Sequence, residues 1–399
     1  MAPMDGRLIR DGAVLVRDGL IAEVGAYADL RRASATVEDA GNAVLLPGLV
    51  NAHAHLELSD CRPGEKPQDG LEGWLIRMLT RTRLDVEELE RRSAAGAKAG
   101  LAQCVKFGVT SVGDISRQPH ITRPIVRDGP VHVTSFGEVM AMAKRRGLFE
   151  ERLALATDRA AESEHLRCGI SPHAPYSVEV DGYARCVDEA KRRGMPLATH
   201  LAETRGEWEF LAEHSGALRA LWDAWLTWDD QVPRFAGGPI RMAKEVGLLD
   251  YPSVLAHVNY CDDEELALLS AGRASVVYCP RTHAYFAHPP HRFREMMQRG
   301  MNVAVGTDSC ASSPNLNLVD DLRLLHGACP DMAVEKIWEM ATVNGARALW
   351  AQERAGSLAP GKRADMVAFA VTGEDPLREV LESASEPAGV WFSGEAIEK

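Results

Sequence analysis

The chain has no apolar run near the ~20 residues that a membrane-spanning helix needs; its longest, around residues 42–50, stops far short. Cationic charge is scarce. Lys and Arg total 45 against 57 Asp and Glu, a formal charge of −12, so no basic stripe is available to follow a phosphate backbone. No CxxC pair occurs. The eight cysteines, at 61, 104, 168, 186, 261, 279, 310 and 329, are scattered, as in a reduced cytosolic protein and unlike a disulfide framework. The first ten residues, MAPMDGRLIR, carry no apolar secretory core. Neither an internal repeat nor a low-complexity linker interrupts the 399 residues. With 46% hydrophobic and 26% charged residues, the composition is that of an ordinary folded protein. The expectation is an acidic, cytoplasmic protein that meets small molecules, with no nucleic acid and no membrane as partner.

What is present is alternation. β-Branched runs at 44–51, 109–114, 131–138, 167–171, 196–200, 253–257, 274–279 and 302–307 predict strands. Amphipathic segments at 86–100, 152–164, 180–193, 262–271 and 290–299 predict helices between them, several ending at a glycine such as Gly100 or Gly194. About eight strands alternating with helices predict an α/β fold, a (β/α)8 TIM-type barrel. An open doubly wound sheet usually places a glycine-rich phosphate turn after its first strand, where this chain has His-Ala-His. The ends read differently. Residues 13–24 alternate around Asp18-Gly19, a hairpin signal, and 356–370 and 388–392 read as further strands and turns. The expected division is a small β-sandwich domain built from both chain ends, residues 1–45 and 355–399, beside a barrel of residues 46–354. Trp222, Trp225 and Trp228 stand three apart. They read as a helix burying its tryptophans, with a lid or a subunit contact as the functional alternative.

Two apart on a strand, His53 and His55 share a face, at the end of the run where a barrel gathers its active site. His200 ends the fifth run and His257 the sixth; Asp308 follows the eighth, and His173 follows the fourth in SPHAPYS. Three histidines and a carboxylate suit Zn²⁺ or Fe²⁺ with one position left for water, whose pKa such an ion lowers from ~15.7 to ~7. Glu203 comes three residues after His200. A regular strand would turn it away, so the chain must curl to bring the carboxylate back over the site, where it can pass a proton from water to a substrate nitrogen. The spacing leaves open a surface glutamate that opens the next helix beside Glu207 and Glu209.

LPGLVNAHAH, SPHAPYS, THLAE, LAHVNY, GTDS with a downstream SSPNLNL, and GSLAPGKRADMVAF follow in this order from about residue 46 to 369. In these motifs the chain resembles the amidohydrolase superfamily, and within it the metal-dependent deaminase and chlorohydrolase branch. That branch includes S-adenosylhomocysteine and methylthioadenosine, guanine, cytosine and aminodeoxyfutalosine deaminases. The resemblance implies that His53, His55, His200 and Asp308 hold a metal ion and that Asp308 also orients the nucleophilic water. It implies a hydrogen bond from His257 to the water or the developing oxyanion, a proton shuttle at Glu203, and substrate contacts from His173 and from Trp74 in EGWL. Binuclear members bridge their ions with a carbamylated lysine near the end of strand four. Residues 167–173, RCGISPH, contain no lysine, which implies one divalent ion, zinc, with iron as the alternative.

The chain departs from the branch after strand seven. Many nucleoside deaminases resemble CPxSN there; this chain has Cys279-Pro280-Arg281-Thr282-His283, then AYFAHPPH with His288 and His291. Arg281 and His283 become candidates for contacting a polar or anionic substituent, and His288 and His291 read as a loop flanking a proline turn. Arg145 and Arg146 either reach a substrate carboxylate or form a solvated helix start. The activity implied is hydrolytic deamination, by metal-activated water, of an aminated heteroaromatic ring: a purine base or a nucleoside-like molecule such as aminodeoxyfutalosine, an adenosine derivative or guanine. The alternatives are a chlorohydrolase or amidohydrolase acting on triazine or imidazolone-type rings and, in another class, a noncatalytic barrel serving as an assembly module. The complete ligand set argues against the last. Dimers are common in the branch, so a homodimer is the assembly that the resemblance suggests.

Overall fold

The computed structural model describes residues 1–32, 35–81 and 85–397; residues 33–34 and 398–399 of the expected small domain lie outside them. The first element is an antiparallel hairpin, β1 (Gly12–Arg17) and β2 (Leu20–Ala26). Its turn residues Asp18 and Gly19 both have positive φ, 51° and 75°, as a two-residue turn matched to strand twist requires. The apolar run at 44–51, expected as one strand, is two: β3 (Ala43–Pro47) and β4 (Leu49–Ala54). Gly48 separates them because the chain passes so close to Thr110 that a Cβ at Gly48 would lie 2.1 Å from its Oγ1.

Strands β4, β5 (Val109–Ser116), β6 (His132–Val139) and β7 (Leu166–Pro172) form a parallel sheet. A second parallel sheet contains β8 (Ala198–Leu201), β9 (Val254–His257), β10 (Ser275–Tyr278) and β11 (Val303–Val305). Parallel bridges join the sheets on both sides, Ile170 to Leu197 and Ala54 to Asp308. The strands of the first sheet are buried along their whole length apart from Arg167, which is why they read as near-continuous apolar runs and not as alternation. The fold is mixed α/β. Near the chain ends, β3 pairs antiparallel with β12 (Met366–Ala370), which continues to β13 (Gly389–Phe392) and β14 (Glu395–Ala396). Ile21, Leu358, Met366 and Trp391 form a separate apolar cluster, with Val14 and Val16 of the hairpin packed against it.

The helices follow their end signals. Asp85 caps the helix Val86–Lys106 by accepting the Glu88 N–H at 2.8 Å, and Asp262 with Glu265 makes a reciprocal capping box on Asp263–Ser270. Gly194 ends Val180–Arg193 in the left-handed conformation, φ 63°. Gly100 does not end its helix, which runs on to Lys106. It and Gly96 instead let the helix lie against the segment that follows β4: a Cβ on Gly96 would lie 2.1 Å from the Glu57 carbonyl oxygen, and one on Gly100 2.7 Å from Ser59 Oγ. Trp222, in the helix Gly216–Ala224, is buried and its indole N–H donates to the Tyr176 carbonyl at 2.9 Å. Among the described residues no helix is long and apolar enough to cross a membrane.

At an exposed helix site, Gly→Ala stabilises by ~1 kcal/mol. Gly96→Ala is expected to do the reverse. Its methyl meets backbone that cannot rotate away, so thermal or urea unfolding should show a loss of ~1–3 kcal/mol.

Candidate active site

Because the strands are parallel, their C-terminal ends gather on one side, and the predicted residues meet there. His53 and His55 lie on and just past β4, His200 on β8, His257 at the end of β9, and Asp308 three residues beyond β11. Asp308 Oδ1 is 3.6 Å from His53 Nε2 and 3.4 Å from His55 Nε2. The Nε2 atoms of His55 and His200 are 3.3 Å apart, and the His53 ring centroid is 5.0 Å from that of His200 and 5.4 Å from that of His257. Ligand atoms of His53, His55 and Asp308 lie within 4.8 Å of one another, as do those of His53, His200 and His257.

The supports of these side chains are specific. His200 Nδ1–H donates to the His173 carbonyl at 3.0 Å, which leaves the lone pair on Nε2 facing the cluster. The Asp308 N–H donates to the His53 carbonyl at 3.1 Å, and Ser312 Oγ–H donates to Asp308 Oδ2 at 2.9 Å. Asn51 and Thr307 exchange two hydrogen bonds just below, at 2.8 and 3.1 Å. Burial pushes the His55 imidazole down to about 4 and that of His200 well below its usual value. Both are therefore neutral near pH 7, the form that ligates a metal.

The cluster fits a divalent ion. Both ring nitrogens of His53 and Nε2 of His257 are buried without a hydrogen-bond partner among the described residues. Such orphaned groups cost ~1–3 kcal/mol each, a cost that a cation taking their lone pairs removes. Three imidazoles and a carboxylate are a common donor set for zinc and related ions.

The curl expected after His200 is present. Ala202 adopts positive φ, 50°, and the turn returns Glu203 to the cluster, with Oε1 3.4 Å from His257 Nε2. Sequence reasoning missed what holds it. The buried Glu207 carboxylate accepts the N–H groups of Ala202, Glu203 and Thr204 at 2.9, 2.7 and 3.2 Å. Asn259 Nδ2–H donates to the Glu203 carbonyl at 3.0 Å. Burial, with the negative charges of Asp308, Glu207 and Glu72, raises the Glu203 carboxyl well above its usual value, so it can carry a proton at neutral pH.

These groups open into a cavity of about 770 Å³, also lined by His173, Trp74, Trp222, Trp225 and Phe286. Trp74 meets Phe286 edge-on at 5.3 Å, and His173 Nδ1 bonds Ser177 Oγ at 2.7 Å. Trp222 and Trp225 thus face the cavity, while Trp228 is buried against Phe210 and His214. The structure does not bring Arg281 and His283 to this lining. The Arg281 guanidinium is spent on Asp321 Oδ2 (2.8 Å), Asn315 Oδ1 (2.7 Å) and the carbonyls of Asn315 and Asn317, which clasps the loop to the helix Leu318–Ala328. His283 Nε2–H donates to the Pro289 carbonyl at 2.9 Å. His291, read as a loop residue, donates from Nε2 to the His257 carbonyl at 2.8 Å and stacks on Tyr278. Arg146 pairs with Glu179 and Asp229, whereas Arg145 lines the cavity.

Residues 44–397 match the Amidohydrolase family, and residues 12–34 match a segment described as imidazolonepropionase-like composite domain, bacteria. The chain is 29% identical over 380 residues to a 5-methylthioadenosine/S-adenosylhomocysteine deaminase of Moorella thermoacetica, covering 92% of this chain and 83% of the relative. Helicobacter pylori aminofutalosine deaminase in complex with methylthio-coformycin has the same fold, with TM-score 0.85 and 23% identity over 99% of this chain and 97% of that one. An adenosine deaminase from Xanthomonas campestris with bound zinc gives 0.80 at 22% identity, over 99% and 90%. The chain belongs to the amidohydrolase family.

Glu207→Gln should separate support from chemistry. An amide has one acceptor oxygen for three donors, so the Glu203 turn loosens. A loss of ~1–3 kcal/mol in thermal unfolding is expected, together with a larger fall in turnover than in substrate affinity.

Proposed function

We propose that this chain hydrolytically deaminates an aminated heteroaromatic ring of the purine or nucleoside kind, and that His53, His55, His200 and Asp308 hold one divalent ion for the purpose. It is a hydrolase acting on carbon–nitrogen bonds. The observation that carries the reading is a protonatable glutamate, Glu203, folded back beside three imidazoles and a carboxylate at the floor of an aromatic-walled cavity. Nitrogen leaving groups need a proton, and this is the group positioned to supply it. The deaminases among the relatives point to the same substrate class.

Zinc is our assignment for the ion, in keeping with the neighbour that binds it, and the absence of lysine from β7, LRCGISP, supports one ion and no carbamate bridge. When bound, the ion brings the pKa of water toward neutrality. The protein's own groups do the rest. Glu203 protonates the ring nitrogen next to the aminated carbon, which makes that carbon electrophilic. Asp308 and His257 flank the position of the attacking water and hold it by hydrogen bonds. Glu203, left as a carboxylate by that transfer, takes the proton released as the water oxygen bonds to the carbon and passes it to the amine; the carbon–nitrogen bond then breaks, ammonia leaves, and the new hydroxyl gives its proton back to Glu203 as the carbonyl forms. His173 and Trp74 contact the ring and help exclude bulk water.

We also read the two parallel sheets as halves of one (β/α)8 barrel of residues 46–354, supported by the Ile170–Leu197 and Ala54–Asp308 bridges. Residues 1–45 and 355–399 make the small β-sandwich domain in this reading, supported by the pairing of β3 with β12.

Ammonia release from a panel of adenine, guanine, cytosine and adenosine derivatives tests the activity; a metal-loaded enzyme that releases none from any member ends this reading. Glu203→Gln should keep its metal, about one ion per chain, while turnover falls by ~10²-fold or more. His55→Ala should lose the ion itself by elemental analysis.

A further inference from the structure

The chain is strained where β9 ends. His257 and Val258 both adopt left-handed backbone, φ 72° and 49°, a conformation that costs free energy and that a β-branched valine rarely takes. Two such residues in a row persist only where neighbouring groups hold them. Part of the hold comes from the turn after β8: the Val258 N–H donates to the Leu201 carbonyl at 3.0 Å and the Tyr260 N–H to that of Ala202 at 3.2 Å. The rest comes from His288-Pro289-Pro290-His291-Arg292. His291 Nε2–H donates to the His257 carbonyl at 2.8 Å, His288 Nδ1 bonds Tyr260 Oη at 3.1 Å, and Arg292 Nη1–H donates to the Cys261 carbonyl at 3.2 Å.

The holding segment is itself stiff. Its two consecutive prolines have fixed φ angles, and His283 Nε2–H donates to the Pro289 carbonyl at 2.9 Å. The His291 ring stacks on Tyr278, with centroids 4.2 Å apart and planes 20° from parallel, which sets the direction of its N–H. His283, His288 and His291 do not line the cavity that His257 and Glu203 line. The turn they hold does reach it. His257 Nε2 is 3.4 Å from Glu203 Oε1, and Asn259 Nδ2–H donates to the Glu203 carbonyl at 3.0 Å. A shift of the backbone at His257 therefore moves an imidazole of the site and loosens the turn that carries Glu203.

We propose that His291 is a positioning residue: with His288 it makes the His-Pro-Pro-His turn a brace that holds the strained backbone of His257 and Val258, and so aims the His257 imidazole and steadies the Glu203 turn. The inference rests on the deamination reading for what His257 and Glu203 do, and on the hydrogen bonds and the left-handed backbone alone for the brace. Its part in turnover is exerted through His257 and Asn259, without contact to substrate.

The test uses two variants of the zinc-loaded full chain. His291→Phe keeps a ring to stack on Tyr278 and removes the donor; His291→Gln keeps an N–H donor near the position of Nε2. With the panel member that the native chain turns over fastest, His291→Phe should lower kcat by ~10-fold or more, the scale of a small misplacement at a reacting centre, while KM stays within ~3-fold. Zinc content should be unchanged, and His291→Gln should recover most of the lost kcat. A smaller fall, a fall carried mainly by KM, or a fall that His291→Gln does not relieve overturns the proposal. Amide hydrogen exchange reads the brace without any activity. In His291→Phe the amides of 257–260 and 202–204 should exchange ~10-fold faster than in the native chain, with β4 to β7 unchanged. Exchange that is unaltered, or raised equally throughout, overturns the brace. If the native chain deaminates no panel member, the reading of the reaction fails and exchange alone judges the brace. Tyr260→Phe, which cuts only the His288 arm, serves if His291→Phe does not fold; the same local rise in exchange is expected, and a native profile overturns the proposal.

Discussion

One backbone hydrogen bond organises the site. The N–H of Asp308 donates to the carbonyl of His53, so a residue three positions beyond the last parallel strand is tied to the next-to-last residue of β4. With it, a carboxylate more than two hundred and fifty positions away is delivered to within 3.6 Å of His53 and His55. The left-handed backbone at Asp308, φ 56°, turns the side chain inward and not along the strand direction. Gly306 permits the approach, since a Cβ there would sit 2.7 Å from the same His53 carbonyl. Asn51 and Thr307 lock the register one layer down.

Burial then sets the protonation of what has been assembled. Removing imidazoles from water favours their neutral forms, and removing a carboxyl from water favours its acid form. The site holds both outcomes side by side: neutral His55 and His200, with lone pairs available, and Glu203, with a proton available. Desolvation thus prepares metal ligation and proton transfer through the same physical effect. Glu207 adds to it by fixing the backbone of the Glu203 turn through three N–H groups, while burial raises its own carboxyl to about 8.

Much of this could be read from the chain because strand periodicity is simple. Two histidines two apart must share a face, and a histidine or aspartate closing an apolar run must lie at a strand end. What escaped the reading depends on direction and on distant partners. Glu207 looks like any solvated glutamate early in a helix, and only the fold turns it under the loop. Arg281 stands in a suggestive place, but Asp321 and Asn315 claim its guanidinium, and nothing local in the sequence announces those partners. Arg145 and Arg146 are adjacent and chemically alike; the backbone sends one to the cavity and the other to Glu179 and Asp229. The helix beginning at Val86 runs through Gly100 for a related reason: its glycines serve packing against Glu57 and Ser59.

The antiparallel pairing of β3 with β12 has a consequence for biogenesis. Leu46 finds its partner, Val367, only after more than three hundred further residues have been made. During synthesis β3 emerges from the ribosome as an orphan edge, the kind of exposed strand that invites pairing with other chains. The hairpin can close at once, but its companion sheet must wait until β12 has been made. The seam stays open over that interval, the one in which chaperone protection matters most.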